Sequence, residues 1–90
     1  MIKLTQTGVG TADAAFAARD SNGSGQMPLQ VDVTGTATFR VLARVSPEAS
    51  WQELIAPTSG NTLQSVAWVP CVRLEVTAGT GTATLWLREQ

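Results

Sequence analysis

The stretch from Cys71 to Leu87, CVRLEVTAGTGTATLWL, constrains this chain more than any other. Val72, Leu74 and Val76 alternate with Cys71, Arg73, Glu75 and Thr77, while Ala83, Leu85 and Leu87 alternate with Thr82, Thr84, Trp86 and Arg88. Successive side chains of a strand point to opposite faces, so each arm presents one apolar and one polar face. Ala78-Gly79-Thr80-Gly81, between the arms, holds residues that tolerate positive φ and can reverse the chain. The segment reads as a β-hairpin with one buried face.

The same period runs through the rest of the chain. Ile2 and Leu4 alternate with Lys3 and Thr5 in a short strand that Gly8 and Gly10 end, which makes residues 1–10 an N-terminal arm able to add to a sheet edge. From Ala12 to Ala18 five alanines favour helix, with Thr11 or Asp13 as N-cap, yet Ala12, Ala14, Phe16 and Ala18 also alternate. The seven-residue length and flanking glycine turns favour strand. Asp20 to Gln26 reads as a loop turning at Asn22-Gly23; calcium would need several hard oxygens, and Asp20 is its one carboxylate.

Pro28 opens a strand with Leu29, Val31 and Val33 inward. Thr36 to Val45 follows, with Ala37, Phe39, Val41, Ala43 and Val45 on one face, Phe39 at the centre of the core, and Arg40, Leu42 and Arg44 opposite. Arg40 and Arg44 read as partners of acidic neighbours such as Asp32 or Glu75 rather than as an anion site. Ser46 to Ala49 is a turn, Ser50 to Ala56 places Trp51 and Ile55 on one face, and Pro57 to Asn61 is a reversal. Thr62 to Val69 carries Leu63, Ala67 and Val69 on one side with Val66 and Trp68 on the other, the pattern of a central strand or of a subunit contact.

Seven to eight short strands with closely spaced turns predict one domain over residues 1–90, an all-β, antiparallel two-layer β-sandwich, jelly-roll or immunoglobulin-like in outline. A chain this short buries only about 60–65% of its unfolded surface, so association with further copies would help it.

Composition narrows the chemistry. The net charge of −1 and dispersed basic residues argue against nucleic-acid binding, which calls for clustered Lys and Arg. Histidine is absent, removing the commonest general base and imidazole metal ligand together. Cys71 has no second cysteine to pair with and reads as a small packed thiol. No apolar run is long enough to span a membrane as a helix, and the start lacks the pattern of a secretory signal, so use without export is expected. Glu48 and Glu53 are the carboxylates one would pair for glycoside hydrolysis, but surface carboxylates are ordinarily solubilising; Ser50 and Ser65 have no histidine base. Gly8-Val-Gly10 and Gly79-Thr-Gly81 precede no helix of a phosphate loop. The expectation is a non-enzyme without cofactor or metal.

Three tryptophans are many for 90 residues. Trp51 reads as core, Trp68 as core or surface, and Trp86, opposite Leu85 and Leu87, as an outer-face residue whose burial requires a partner. Leu42, Val66, Trp68 and Trp86 are thus the candidate interface residues.

The runs Val33-Thr-Gly-Thr-Ala-Thr-Phe-Arg-Val, Ser50-Trp-Gln-Glu-Leu and Val69-Pro-Cys-Val-Arg-Leu-Glu-Val-Thr-Ala-Gly-Thr-Gly-Thr-Ala-Thr-Leu-Trp-Leu resemble small β-sandwich structural proteins of tailed bacteriophages, whose ending V-R-x-x-V-T-x-G-T-G-T-x-T corresponds to Val72 to Thr84. The resemblance implies a virion component located in the phage head and assembled in the host cytoplasm. Its role would be that of a capsid decoration or cement protein, a homo-oligomer, most plausibly a homotrimer, that binds the major capsid protein of the assembled shell. It carries over no site residue. A tail or tail-fibre accessory module is the alternative within that class, and a small carbohydrate-binding module, resting on the tryptophans, is the alternative outside it.

Overall fold

The computed structural model describes residues 2–15, 26–67 and 69–88. Among them the chain forms β1 (Ile2–Thr7), β2 (Gly10–Ala15), β3 (Gln26–Thr34), β4 (Ala37–Arg44), β5 (Gln52–Thr58), β6 (Thr62–Ala67), β7 (Cys71–Gly79) and β8 (Thr82–Leu87). The first strand pairs with the last, the second with the seventh, the third with the sixth and the fourth with the fifth, all antiparallel. This is one long antiparallel ribbon with its tip at β4–β5, rolled up. Pairings β3–β8 and β4–β7 complete two four-stranded sheets of order β1-β8-β3-β6 and β2-β7-β4-β5. The all-β two-layer sandwich read from the sequence is therefore present, and of its two outlines the strand order is that of the jelly roll.

The hairpin expectation is corrected. Val72, Leu74, Val76, Ala83, Leu85 and Leu87 are all fully buried, as alternation requires, but β7 and β8 lie in opposite sheets and are not hydrogen-bonded neighbours. Two apolar faces can meet across a core as well as side by side in one sheet, and a period of two does not distinguish these arrangements. The turn's backbone decides. The Gly81 N–H donates to the Thr36 carbonyl at 3.0 Å or less (2.8 Å), and the Gly8 N–H donates to the Gly81 carbonyl at 3.0 Å, so the three crossings β1–β2, β3–β4 and β7–β8 are bonded to one another at one end of the sandwich.

Phe39, Val41, Val72, Leu74, Val76 and Leu85, expected to be buried together, are fully buried in one cluster with Met27, Leu29 and Leu87. No polar or charged residue is buried among the described residues. The N-terminal strand adds to a sheet edge: β1 pairs with β8 along six residues and Leu4 enters the core. The segment chosen as strand from Ala12 is strand to Ala15; its remainder and the loop from Asp20 to Gly25 lie outside the described residues.

Three boundaries differ from the alternation. The third strand begins at Gln26, two residues before Pro28. Proline is tolerated there because it faces β8 at that strand's end, where the Pro28 carbonyl accepts from the Arg88 N–H at 3.1 Å. Val45, expected in the core, is 76% exposed because β4 ends at Arg44. Register shifts on the β4–β5 pairing, where Val41 meets Ile55 but Leu42 meets Glu53, mark an extra residue at Leu54. Such a bulge reverses side-chain parity along β5, so Ile55 is buried while Trp51 comes to the opposite face.

Candidate functional site

The sandwich has two outer faces, and their chemistry differs. On β2-β7-β4-β5 Arg73 and Arg40 are paired with carboxylates, while Arg44 stacks on Trp51 and its buried Nε has no hydrogen-bond partner among the described residues. Arg73 donates from Nε to Asp13 Oδ1 at 2.7 Å and from Nη2 to Oδ2 at 2.9 Å, a bidentate pair across β2 and β7. Arg40 donates to Glu75 on β7 and, at 3.3 Å, to Glu53 on β5. Trp51 stands between two guanidinium groups, with Arg44 4.2 Å and Arg73 4.5 Å from its ring centre. The expected partner Glu75 is thus found for Arg40; Asp32 lies in the other sheet and accepts from Gln30 at 3.1 Å.

Two expectations change on this face. Trp51 was expected in the core, and the β5 bulge turns it outward to stack with arginines. Leu42 is only 6% exposed: in register between Glu53 and Arg73, it is covered by this chain's own long side chains. It leaves the accessible surface, as does Val66, which belongs to the core cluster. Trp68 lies outside the described residues.

The pairing has a pH signature. The hydrogen bonds from Arg73 hold the Asp13 carboxyl below the 3.8 of a free aspartate, against a smaller desolvation effect and with help from the charges of Arg73 and Arg44. A folded-state pKa below the unfolded value gives stability that is present above the unfolded value and lost as pH falls through the folded one. Asp13 is about half exposed, so the pair contributes less than about 1 kcal/mol. Asp13→Asn is therefore expected to lower the urea midpoint slightly at neutral pH, with wild-type and variant curves converging under acid conditions. A difference that persisted after Asp13 had protonated would contradict this.

The outer face of β1-β8-β3-β6 is of another kind. Register places Lys3, Trp86, Gln30 and Leu63 in one row across all four strands. Trp86, anticipated as an outer-face residue, sits at the middle of this row, half-buried, with the Lys3 ammonium 5.8 Å from its ring centre. Leu63, on the face of its strand opposite the interface candidates Val66 and Trp68, is 73% exposed. Pro28, Leu29, Gln30, Leu63, Trp86 and Arg88 line a shallow depression of about 130 Å³. Around it lie Thr5, Thr84 and Asp32 in the next row, the Thr7 and Thr82 hydroxyls 2.9 Å apart, and Ser65 beside Pro28. An indole, an exposed leucine and a proline form the apolar part of this surface and the charges of Lys3, Arg88 and Asp32 lie around it, the apolar centre and polar rim of a recognition surface.

Among the described residues no three His, Cys, Asp or Glu side chains gather to hold a metal, and no helix is long and apolar enough to cross a membrane. Glu53 is turned toward Arg40 rather than toward Glu48. Cys71 is buried and free. No protein-family model, curated protein or solved structure matches the chain, so the functional reading rests on the arrangement of its side chains.

Proposed function

We propose that this chain is a bacteriophage virion structural protein that attaches through the outer face of β1-β8-β3-β6 to a preassembled shell of major capsid protein and reinforces it. The observation that carries the reading is the row Lys3-Trp86-Gln30-Leu63, which sets the half-buried Trp86 and the exposed Leu63 in one line across the outer face of this sheet. On the other face Arg73 and Arg40 are held by Asp13, Glu75 and Glu53, which leaves those charges less available to a partner. Jelly rolls serve in viral capsids and in lectins alike, so the fold supports the class without selecting within it.

Co-sedimentation with purified heads of the encoding phage tests the proposal. Wild-type protein is expected to pellet with heads, and Trp86→Ala to bind about thirtyfold more weakly, the loss of about 2 kcal/mol typical of a central aromatic. Absence of binding to heads removes the decoration role, and binding to tails instead moves the protein to a tail accessory module. A second reading is favoured by one observation: Trp86 lines its depression together with Gln30 and Arg88, an aromatic platform with polar residues beside it that could take a sugar ring. Glycan-array binding that is lost in Trp86→Ala, with no binding to heads, would establish that reading instead.

A further inference from the structure

A jelly roll leaves four open sheet edges, here β1, β2, β5 and β6. Proteins guard such edges with charges, prolines or bulges, because unpaired N–H and C=O groups are a template for a further strand. The β1 edge carries Lys3, β2 carries Asp13, and β5 carries Glu53, Pro57 and two register shifts. The β6 strand, Thr62-Leu63-Gln64-Ser65-Val66-Ala67, has no charge and no proline, and pairs with β3 without a register shift. It is the one unguarded edge among the described strands.

The register shows which groups that edge presents. The Pro28 carbonyl accepts from Arg88, so Pro28 directs its backbone toward β8. Its partner Ser65 therefore directs its own N–H and C=O away from β3, and by strand alternation so do Leu63 and Ala67. Gln64 and Val66, opposite Leu29 and Met27, make the bonds to β3. The free edge thus offers three donors and three acceptors at 63, 65 and 67, symmetric about Ser65.

We propose that two copies of this chain pair antiparallel through β6, with a two-fold axis at Ser65. Ser65 then faces Ser65 and Leu63 faces Ala67 of the partner subunit, every facing pair being of the closely hydrogen-bonded kind, so that six backbone hydrogen bonds form. The sheet becomes eight strands wide. Leu63, the exposed apolar end of the Trp86 row, gains cover from a small residue that leaves room for it. An isologous contact closes at two copies, so the geometry points to a dimer rather than the trimer that the phage resemblance implies. The pairing does not depend on what the outer face binds.

Sedimentation across a concentration series, with amide hydrogen exchange, tests it on the intact chain. The expected result is a monomer–dimer equilibrium in which the amides of Leu63, Ser65 and Ala67 gain protection as the dimer forms. Ser65→Lys keeps its backbone N–H and its solvent-facing side chain but sets like charges face to face across the axis, and it is expected to stay monomeric. Ser65→Pro, which removes an N–H that has no partner among the described residues, is expected to lose the dimer while the fold persists by circular dichroism; should proline unfold the strand, the lysine variant still decides. Cα atoms of a closely bonded pair lie about 5.5 Å apart, within disulfide range, so Ser65→Cys should cross-link to itself under mild oxidation and Leu63→Cys should not. A wild type that stays monomeric, a trimeric mass, or an oligomer unaffected by Ser65→Lys overturns the proposal. So does protection of these three amides appearing only when phage heads are added, which would give the edge to a strand of the shell.

Discussion

Phe39→Ala is expected to cost about 3–5 kcal/mol, measured as the loss of unfolding free energy in urea. Phe39 is fully buried on a central strand of its sheet and is the largest of the fully buried side chains. Its neighbours in the cluster include Val41, Leu74 and Val76 of the same sheet and Leu29, Val31 and Leu85 of the other, so truncation opens a cavity where the two layers meet. Side chains on regular strands cannot close such a space without moving a sheet, so the cavity cost adds to the lost transfer energy. Domains of this size have about 5–13 kcal/mol in all, so the variant should melt far below wild type. Val45→Ala, at an exposed position on the same chain segment, should change stability by less than about 0.5 kcal/mol. A loss under about 1 kcal/mol for Phe39→Ala would refute its central place.

That prediction needs only alternation, which is the part of the fold most legible in the sequence. A strand buries every second residue, and the positions that do so at Ala37, Phe39 and Val41 of β4, Val72, Leu74 and Val76 of β7 and Ala83, Leu85 and Leu87 of β8 are readable because side chains alternate there. Which sheet each strand joins was less legible, for a physical reason. A strand of alternating character needs one apolar partner surface, and β7 has the same need met whether β8 lies beside it or opposite it. The difference lies in backbone bonding at Gly79-Thr80-Gly81, whose partners Thr36 and Gly8 are distant in sequence.

Local irregularity accounts for the misplaced tryptophan. Trp51, Glu53 and Ile55 share a parity, and an uninterrupted strand would point all three one way. The extra residue at Leu54 breaks the parity between Glu53 and Ile55, and no glycine or proline between them announces it. Trp51 then meets Arg44 and Arg73, contributed by strands β4 and β7, an arrangement visible only once the strands are placed. Trp86 could be placed on an outer face from the sequence because β8 has no such interruption. Its row-mates could not, since Lys3, Gln30 and Leu63 come from three strands whose register is fixed by pairing.

The bonded corner leads to the second large effect. Gly79→Ala and Gly81→Ala are each expected to cost about 3 kcal/mol or more, although both replace a glycine at the sandwich surface by the smallest chiral residue. Gly79 has φ of +97°, outside the range that a side chain readily accepts, and a Cβ there would clash with the Thr36 carbonyl and lie 2.9 Å from the Ala37 Cα. At Gly81 strain is not the issue: a Cβ would lie 2.5 Å from the Thr34 carbonyl oxygen and 2.7 Å from the Thr36 nitrogen. All of these obstacles are backbone atoms of the β3–β4 crossing and cannot rotate away as a side chain would. Relief requires the crossings to separate, which breaks the bonds from Gly81 to Thr36 and from Gly8 to Gly81 and shifts β8, a strand that pairs with both β1 and β3. The combined strain and lost bonding sets the magnitude. Gly60→Ala supplies the control, since nothing lies within 4 Å of its Cβ position and its φ is not positive; there the stiffer unfolded chain should leave stability unchanged or raise it by up to about 1 kcal/mol. Urea unfolding of the three variants checks the ranking: if Gly79→Ala and Gly81→Ala unfold at the same midpoint as Gly60→Ala, the close stacking of the crossings is wrong, and with it the reason this turn joins two sheets instead of closing a hairpin.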